Sequence, residues 1–188
     1  VEMSGTLRWQ SATVRVERSG VVTVLTGSSP HGQGHETVWA QVAADRLGVP
    51  LEGICVRYGD TAVAPHGTGT AGAGGAPLAA PAVAVAADRV REKMLRIAAH
   101  RLESRVDDLE VKDGRIGVVG SPGSSLTVAQ VARIAYAGRE LPEGMEPGLE
   151  ETFRFMPPRP PFGFGAYFAV VRIDRDTGAV TVDRLVAV

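Results

Sequence analysis

Val21-Val22-Thr23-Val24-Leu25, then Gly27-Ser28-Ser29-Pro30-His31-Gly32-Gln33-Gly34, then Glu36-Thr37-Val38-Trp39 is the stretch that sets the architecture. Its β-branched opening reads as a strand. Its glycines read as a loop with unusual backbone freedom. From Glu36 to Leu47, the residues Val38, Trp39, Val42, Ala43 and Leu47 fall on one helical stripe, and Gly48 and Pro50 end it. Just upstream, Ala12-Thr13-Val14-Arg15-Val16 alternates as a partner strand, joined through the Ser19-Gly20 turn as a hairpin.

Working outward, Ile54 to Tyr58 reads as another strand, and Asp60 to Gly75 as a long loop rich in Gly, Ala and Thr. Pro77 to Ser104 predicts the longest helix, small and apolar first and amphipathic later. Leu109-Glu110-Val111 and Arg115 to Val119 flank Asp113-Gly114, a hairpin signal. Thr127 is placed to cap a short helix through Tyr136. Thr152–Phe155, Ala166–Ile173 and Ala179–Val186 read as strands, the last two joined by Asp176-Thr177-Gly178. The expectation is an α+β fold of mostly antiparallel hairpins with about three helices. Residues 1–188 read as one domain or part of one, with a possible subdomain boundary near 105–125. Pro157–Pro161 is the one linker candidate, read as a loop within the domain. The ends, from Val1 to Leu185-Val186-Ala187-Val188 in mid-strand, read as cuts from a longer chain.

Hydrophobic residues make up 44% and charged residues 22% of the chain, a globular rather than disordered composition. A formal net charge of −1 gives no general attraction to nucleic acid or anionic membrane. The longest apolar run, Ala79 to Ala87, is too short to span a bilayer. Cys55 is the only cysteine, so no disulfide can form within the chain and an iron–sulfur cluster lacks its thiolates. Its Ile54-Cys55-Val56 setting reads as core packing, and the composition suits the cytoplasm.

Two segments are able to carry chemistry. In Gly27–Gly34 the glycines admit a close ligand, and the next helix offers free first-turn N–H groups to an anion. Gln33 adds an amide that donates and accepts at once, suited to a heterocycle edge. The same residues also suit a simple strand–helix turn. Gly67-Thr68-Gly69-Thr70-Ala71-Gly72-Ala73-Gly74-Gly75 repeats the arrangement before the Pro77 helix. Its nominal G-x-G-x-x-G match follows too long a loop, and lacks the later acidic residue, for a dinucleotide site. His31 and His35 are four apart, but no third ligand is evident, so a turn role is favoured over metal. His100 reads as a surface or boundary residue, Asp107-Asp108 as a solvated turn.

Gly32-Gln33-Gly34-His35-Glu36-Thr37, followed by Ala40-Gln41 and Leu47-Gly48-Val49-Pro50, resembles the xanthine dehydrogenase / aldehyde oxidase / carbon monoxide dehydrogenase family, in its large, molybdenum-cofactor-binding subunit. The carbon monoxide dehydrogenase-like branch carries this motif. Gly59-Asp60-Thr61 with Pro65 and Gly69-Thr70, the helix Ala82 to Leu102, Gly144 to Gly148, and Asp174-Arg175-Asp176-Thr177-Gly178 continue the resemblance in order along nearly the whole chain.

The resemblance implies part of an oxidoreductase that hydroxylates or oxidises an aldehyde, a heterocycle or carbon monoxide using water. Its cofactor would be molybdenum–molybdopterin in the cytosine dinucleotide form. Gly32, Gln33 and Gly34 would contact the pterin, and Thr70, Gly72, Ala73, Gly74 and Gly75 would form the second cofactor loop. Iron–sulfur and FAD would sit on partner subunits or domains, and the remainder of the large subunit would be a further partner. The family's general-base glutamate lies downstream of Val188 and its substrate-facing loop upstream of Val1, so no catalytic residue and no metal ligand is assigned. The piece alone is expected to be inactive and without cofactor. Relatives usually offer serines and an arginine after the Gly-Thr; here Ala73-Gly74-Gly75 stand, with Ala79-Ala80 where a glycine pair is common. That departure supports an alternative: a non-catalytic structural or assembly homologue that no longer binds the cofactor.

Overall fold

A computed structural model describes residues 9–64, 66–121, 123–159 and 165–188. Pro65 and the Pro160-Pro161 end of the candidate linker lie outside them. Strands β1 (Gln10–Val16) and β2 (Val22–Thr26) form the expected hairpin, with Val14 opposite Val24 and Val16 opposite Val22. Period-2 alternation sends Ala12, Val14, Val16, Val22 and Val24 to one face, where all are buried. After the glycine loop, α1 (His35–Leu47) carries the chain to β3 (Ile54–Arg57), which joins β2 in parallel. It is the one parallel pair among the described strands; the other pairings are antiparallel, as the expected mostly antiparallel fold requires. A crossover helix returns the chain in its original direction, which a tight turn cannot do. Strand β7 (Glu150–Phe155) pairs with β1, giving the order β3-β2-β1-β7.

Helix α2 (Ala80–Leu102) packs on β1, β7 and α1. Its buried stripe begins with Ala82, Val83, Ala86 and Ala87, whose small side chains admit close backbone approach, and continues through Val90 and Met94. The sequence predicts regular helix from Pro77; the structure instead has a π-helical turn over Gly75–Ala79. Pro77 and Pro81 supply no N–H, so the regular ladder cannot be completed there. Beyond α2, strands β4 (Leu109–Lys112), β5 (Arg115–Val118) and β6 (Ser125–Thr127) form a second sheet. Thr127 caps α3 (Val128–Ala137) with a full capping box, its hydroxyl accepting from the Gln130 N–H at 3.1 Å. Leu109, Ile116, Val128 and Val131 join the same core as the first sheet and α2.

Strands β8 (Tyr167–Ile173) and β9 (Val180–Ala187) form a separate two-stranded sheet across the Asp174–Gly178 turn. Its register places Tyr167, Ala169, Val171, Ile173, Val180, Val182, Leu185 and Ala187 on one face, every one exposed. Cys55 is half-buried rather than in the core, because it alternates with Ile54 and Val56 on the edge strand and only those two pack inward. Asp107, Asp108 and His100 are exposed, as the sequence suggests. Among the described residues no helix is long and apolar enough to cross a membrane.

Met94 sits fully buried on α2 in the middle of this core. Met94→Ala is expected to lower the unfolding free energy by about 2–5 kcal/mol, read from chemical denaturation, with an unchanged denaturant slope.

Candidate functional site

Both glycine-rich segments arrive at one place because β1 holds the second of them. Gln10 is fully buried at the start of β1. Its Nε2 donates to the Gly69 carbonyl, and its Oε1 accepts the Thr68 N–H at 3.2 Å. The neighbouring Ser11 hydroxyl, also buried, donates to the His66 carbonyl. The two loop backbones then cross at Gly27 and Gly67. A Cβ at Gly27 would lie 2.7 Å from the Gly67 nitrogen, and one at Gly67 would lie 2.7 Å from the Gly27 oxygen. Only glycine fits at either position. The Gly69 N–H reaches the Gly27 carbonyl at 3.2 Å, and the Thr70 hydroxyl meets the Ser28 hydroxyl at 3.2 Å.

Beyond this crossing the segments open into a cleft of about 460 Å³. Gln33, His35, Val38 and Trp39 line it from the α1 side; Thr70, Ala73, Gly75 and Ala76 line it from the other. Of the residues the sequence singled out, Gln33, Thr70, Ala73 and Gly75 therefore share one cavity. Gly32, Gly34, Gly72 and Gly74 shape the backbones of the two loops. Gly34, at φ 71°, is the N-cap of α1 and offers no side-chain cap. The π-turn leading into α2 has no side-chain cap either. First-turn N–H groups of α1 are thus left for a ligand or water. No acidic side chain lines the cleft among the described residues. Glu36, in the first turn of α1, instead accepts the Tyr58 hydroxyl.

Gln33 is exposed, and its Oε1 accepts the N–H of His31, closing the turn; its amide N–H groups remain able to donate. His31 is exposed, and no group of three or more His, Cys, Asp or Glu able to hold a metal occurs among the described residues. His35 is buried, 5% exposed. Its Nδ1 lies 3.5 Å from the Ser28 hydroxyl, and its ring centroid lies 4.8 Å from that of Trp39. Burial, with a smaller contribution from His31, pushes the His35 imidazole below the ordinary histidine pKa. Trp39 is 1% exposed, and its indole N–H has no hydrogen-bond partner among the described residues.

Gln10, Ser11, Ser28, His35 and Trp39 carry much of this geometry, and sequence reasoning assigned none of them to the cofactor. The signal was present for two. Gln10 and Ser11 are polar residues opening an otherwise apolar alternation, and buried polar groups need partners.

Two glycine-rich loops held together in front of an uncapped helix N-terminus, with no carboxylate in the cleft, are an arrangement able to accept an anionic ligand. The chain belongs to the molybdopterin cofactor-binding domain family, matching it over residues 1–188. It is 39% identical over 186 residues to the carbon monoxide dehydrogenase large chain of Hydrogenophaga pseudoflava, covering 99% of this chain and 23% of that protein. It is also 39% identical over 179 residues to the nicotine 6-hydroxylase large subunit of Paenarthrobacter nicotinovorans, covering 95% and 22%. Quinoline 2-oxidoreductase from Pseudomonas putida 86 superposes with a TM-score of 0.85 at 37% identity, over 97% of this chain and 23% of that one. The chain spans about a quarter of the length of these relatives.

The lowered pKa of His35 sets a pH dependence. Below the ordinary value near 6.5 the unfolded chain binds a proton that the folded His35 resists. Its contribution to stability is therefore complete above that value and lost as pH falls below it. Denaturant unfolding at about pH 7.5 and about pH 5.5 is expected to show lower stability in acid, and His35→Gln should reduce that difference.

Proposed function

We propose that the chain is a cofactor-holding part of the large subunit of a molybdenum hydroxylase, and that the cleft between the two loops holds the molybdopterin cofactor. The observation that carries this reading is the convergence of Gln33, Thr70, Ala73 and Gly75 beside an uncapped helix N-terminus, with no carboxylate present. The donor set fits the group. First-turn N–H groups of α1 have no side-chain cap, and the Gln33 amide is free to donate to a heterocycle edge. Trp39 lines the same cleft. When bound, the molybdenum centre supplies the redox chemistry by which the intact enzyme would oxidise or hydroxylate an aldehyde, a heterocycle or carbon monoxide with water. The residues described here bind and orient; none of them is placed to move a proton in the reaction.

The finer reading is the cytosine dinucleotide form of the cofactor, with electrons leaving through iron–sulfur and FAD partners in the cytoplasm. Residues 1–188 would act as one unit with the rest of the large subunit, and alone would bind no cofactor and have no activity. A second reading, an assembly homologue without cofactor, is favoured by Ala73-Gly74-Gly75, which present no side-chain donor. Molybdenum analysis of the full-length protein, purified with its natural partners, separates the two. Stoichiometric metal supports the enzyme; its absence after expression with a functioning cofactor pathway supports the homologue.

Gln33→Ala in the full-length protein is expected to weaken cofactor affinity about five- to a hundred-fold, read as lowered molybdenum content, while costing the fold at most about 0.5–1.5 kcal/mol. A large drop in melting temperature at unchanged molybdenum per folded protein would make Gln33 a turn residue only.

A further inference from the structure

The two loops of the cleft are kept apart as well as held together, and one side chain stands between them. His35 touches the first loop through Ser28, with Nδ1 3.5 Å from the hydroxyl. On its other side a Cβ built at Gly75 would stand 2.9 Å from Nε2 and 3.1 Å from Cε1 of the same ring. The ring has little room to swing, because His35 is 5% exposed and lies 4.8 Å from Trp39, itself 1% exposed. Gly75 does not adopt the left-handed backbone, and the next nearest atom to its missing Cβ is Thr70 Cγ2 at an ordinary 3.6 Å. Backbone conformation thus gives no reason for glycine at 75. The imidazole does.

We infer that His35 is the positioning residue that sets the width of the cleft: its imidazole is a spacer between the Ser28 loop and the start of the α2 approach, and glycine at 75 is the space kept for it. The inference deepens the cofactor reading and rests on it for its consequence, but the spacer contact itself stands without the cofactor. The ring need not touch the ligand. It acts by fixing where Thr70, Ala73 and Gly75 stand relative to the N-terminus of α1.

The test is a double-mutant cycle in the full-length protein, with Gly75→Ala, His35→Ala and the pair combined. Hydrogen exchange of residues 66–76 reads loop position, and molybdenum per folded protein reads the cofactor. With His35 present, Gly75→Ala should raise exchange of this segment by about ten-fold or more, a local opening made easier by roughly 1.4 kcal/mol. In the His35→Ala background the same substitution should change exchange little, because the added methyl enters vacated space. His35→Phe, a ring without the Ser28 hydrogen bond, should retain near-native exchange, which a purely hydrogen-bonding role would not allow. Equal effects of Gly75→Ala in both backgrounds would overturn the spacer. Strong coupling in exchange, with molybdenum content unchanged in every variant, would uphold the spacer and overturn the cofactor reading of the cleft.

Discussion

At Gly27 and Gly67 two segments of backbone pass with no room for a side chain on either, and the cleft exists because they do. A contact so close would be unfavourable if its polar groups were left in the dry. They are not: the Gly69 N–H finds the Gly27 carbonyl, and buried Gln10 satisfies Gly69 and Thr68 together. The core beneath supplies the rigidity. β1 is central in its sheet and buried by α2, so Gln10 and Ser11 are fixed points from which a long, glycine-rich loop can be hung. Without such anchors a segment of this composition would retain the conformational entropy that ordering must overcome.

Helix ends show a division of labour. α3 closes its N-terminus with a full capping box and contributes to the core. α1 leaves its N-terminus uncapped, as does the turn that feeds α2. Ala73 adds a left-handed backbone, φ 53°, for a residue that carries a Cβ, worth roughly 1–2 kcal/mol of strain. Uncapped N–H groups and a left-handed alanine thus meet at one cavity.

Much of this was legible in the sequence. The β1–β2 hairpin, α1, the capped α3 and the β8–β9 hairpin follow from short-range signals: alternation, the Ser19-Gly20 turn, Thr127, and Asp176-Thr177-Gly178. The two loops were legible through their glycines. What escaped was long-range or steric. The parallel pairing of β3 depends on where α1 packs, and the place of β7 beside β1 on contacts across most of the chain. The π-turn at Gly75–Ala79 reflects two prolines acting together. Gln10 went unread because its partners lie more than fifty positions away. His35 was weighed only as a metal ligand or turn residue. That it fills the space kept by Gly75 is invisible until both are placed.

The β8–β9 ribbon separates two properties that usually travel together. Its eight-residue face from Tyr167 to Ala187 is apolar and open to water, and each strand offers one unpaired edge among the described residues. The core around Met94 and Trp39 owes it nothing. Folding strength therefore resides in one part of the molecule and colloidal behaviour in another. A sample of these 188 residues can be well folded by every spectroscopic measure and still be limited by concentration, because the surface that drives association is one that unfolding does not need to expose.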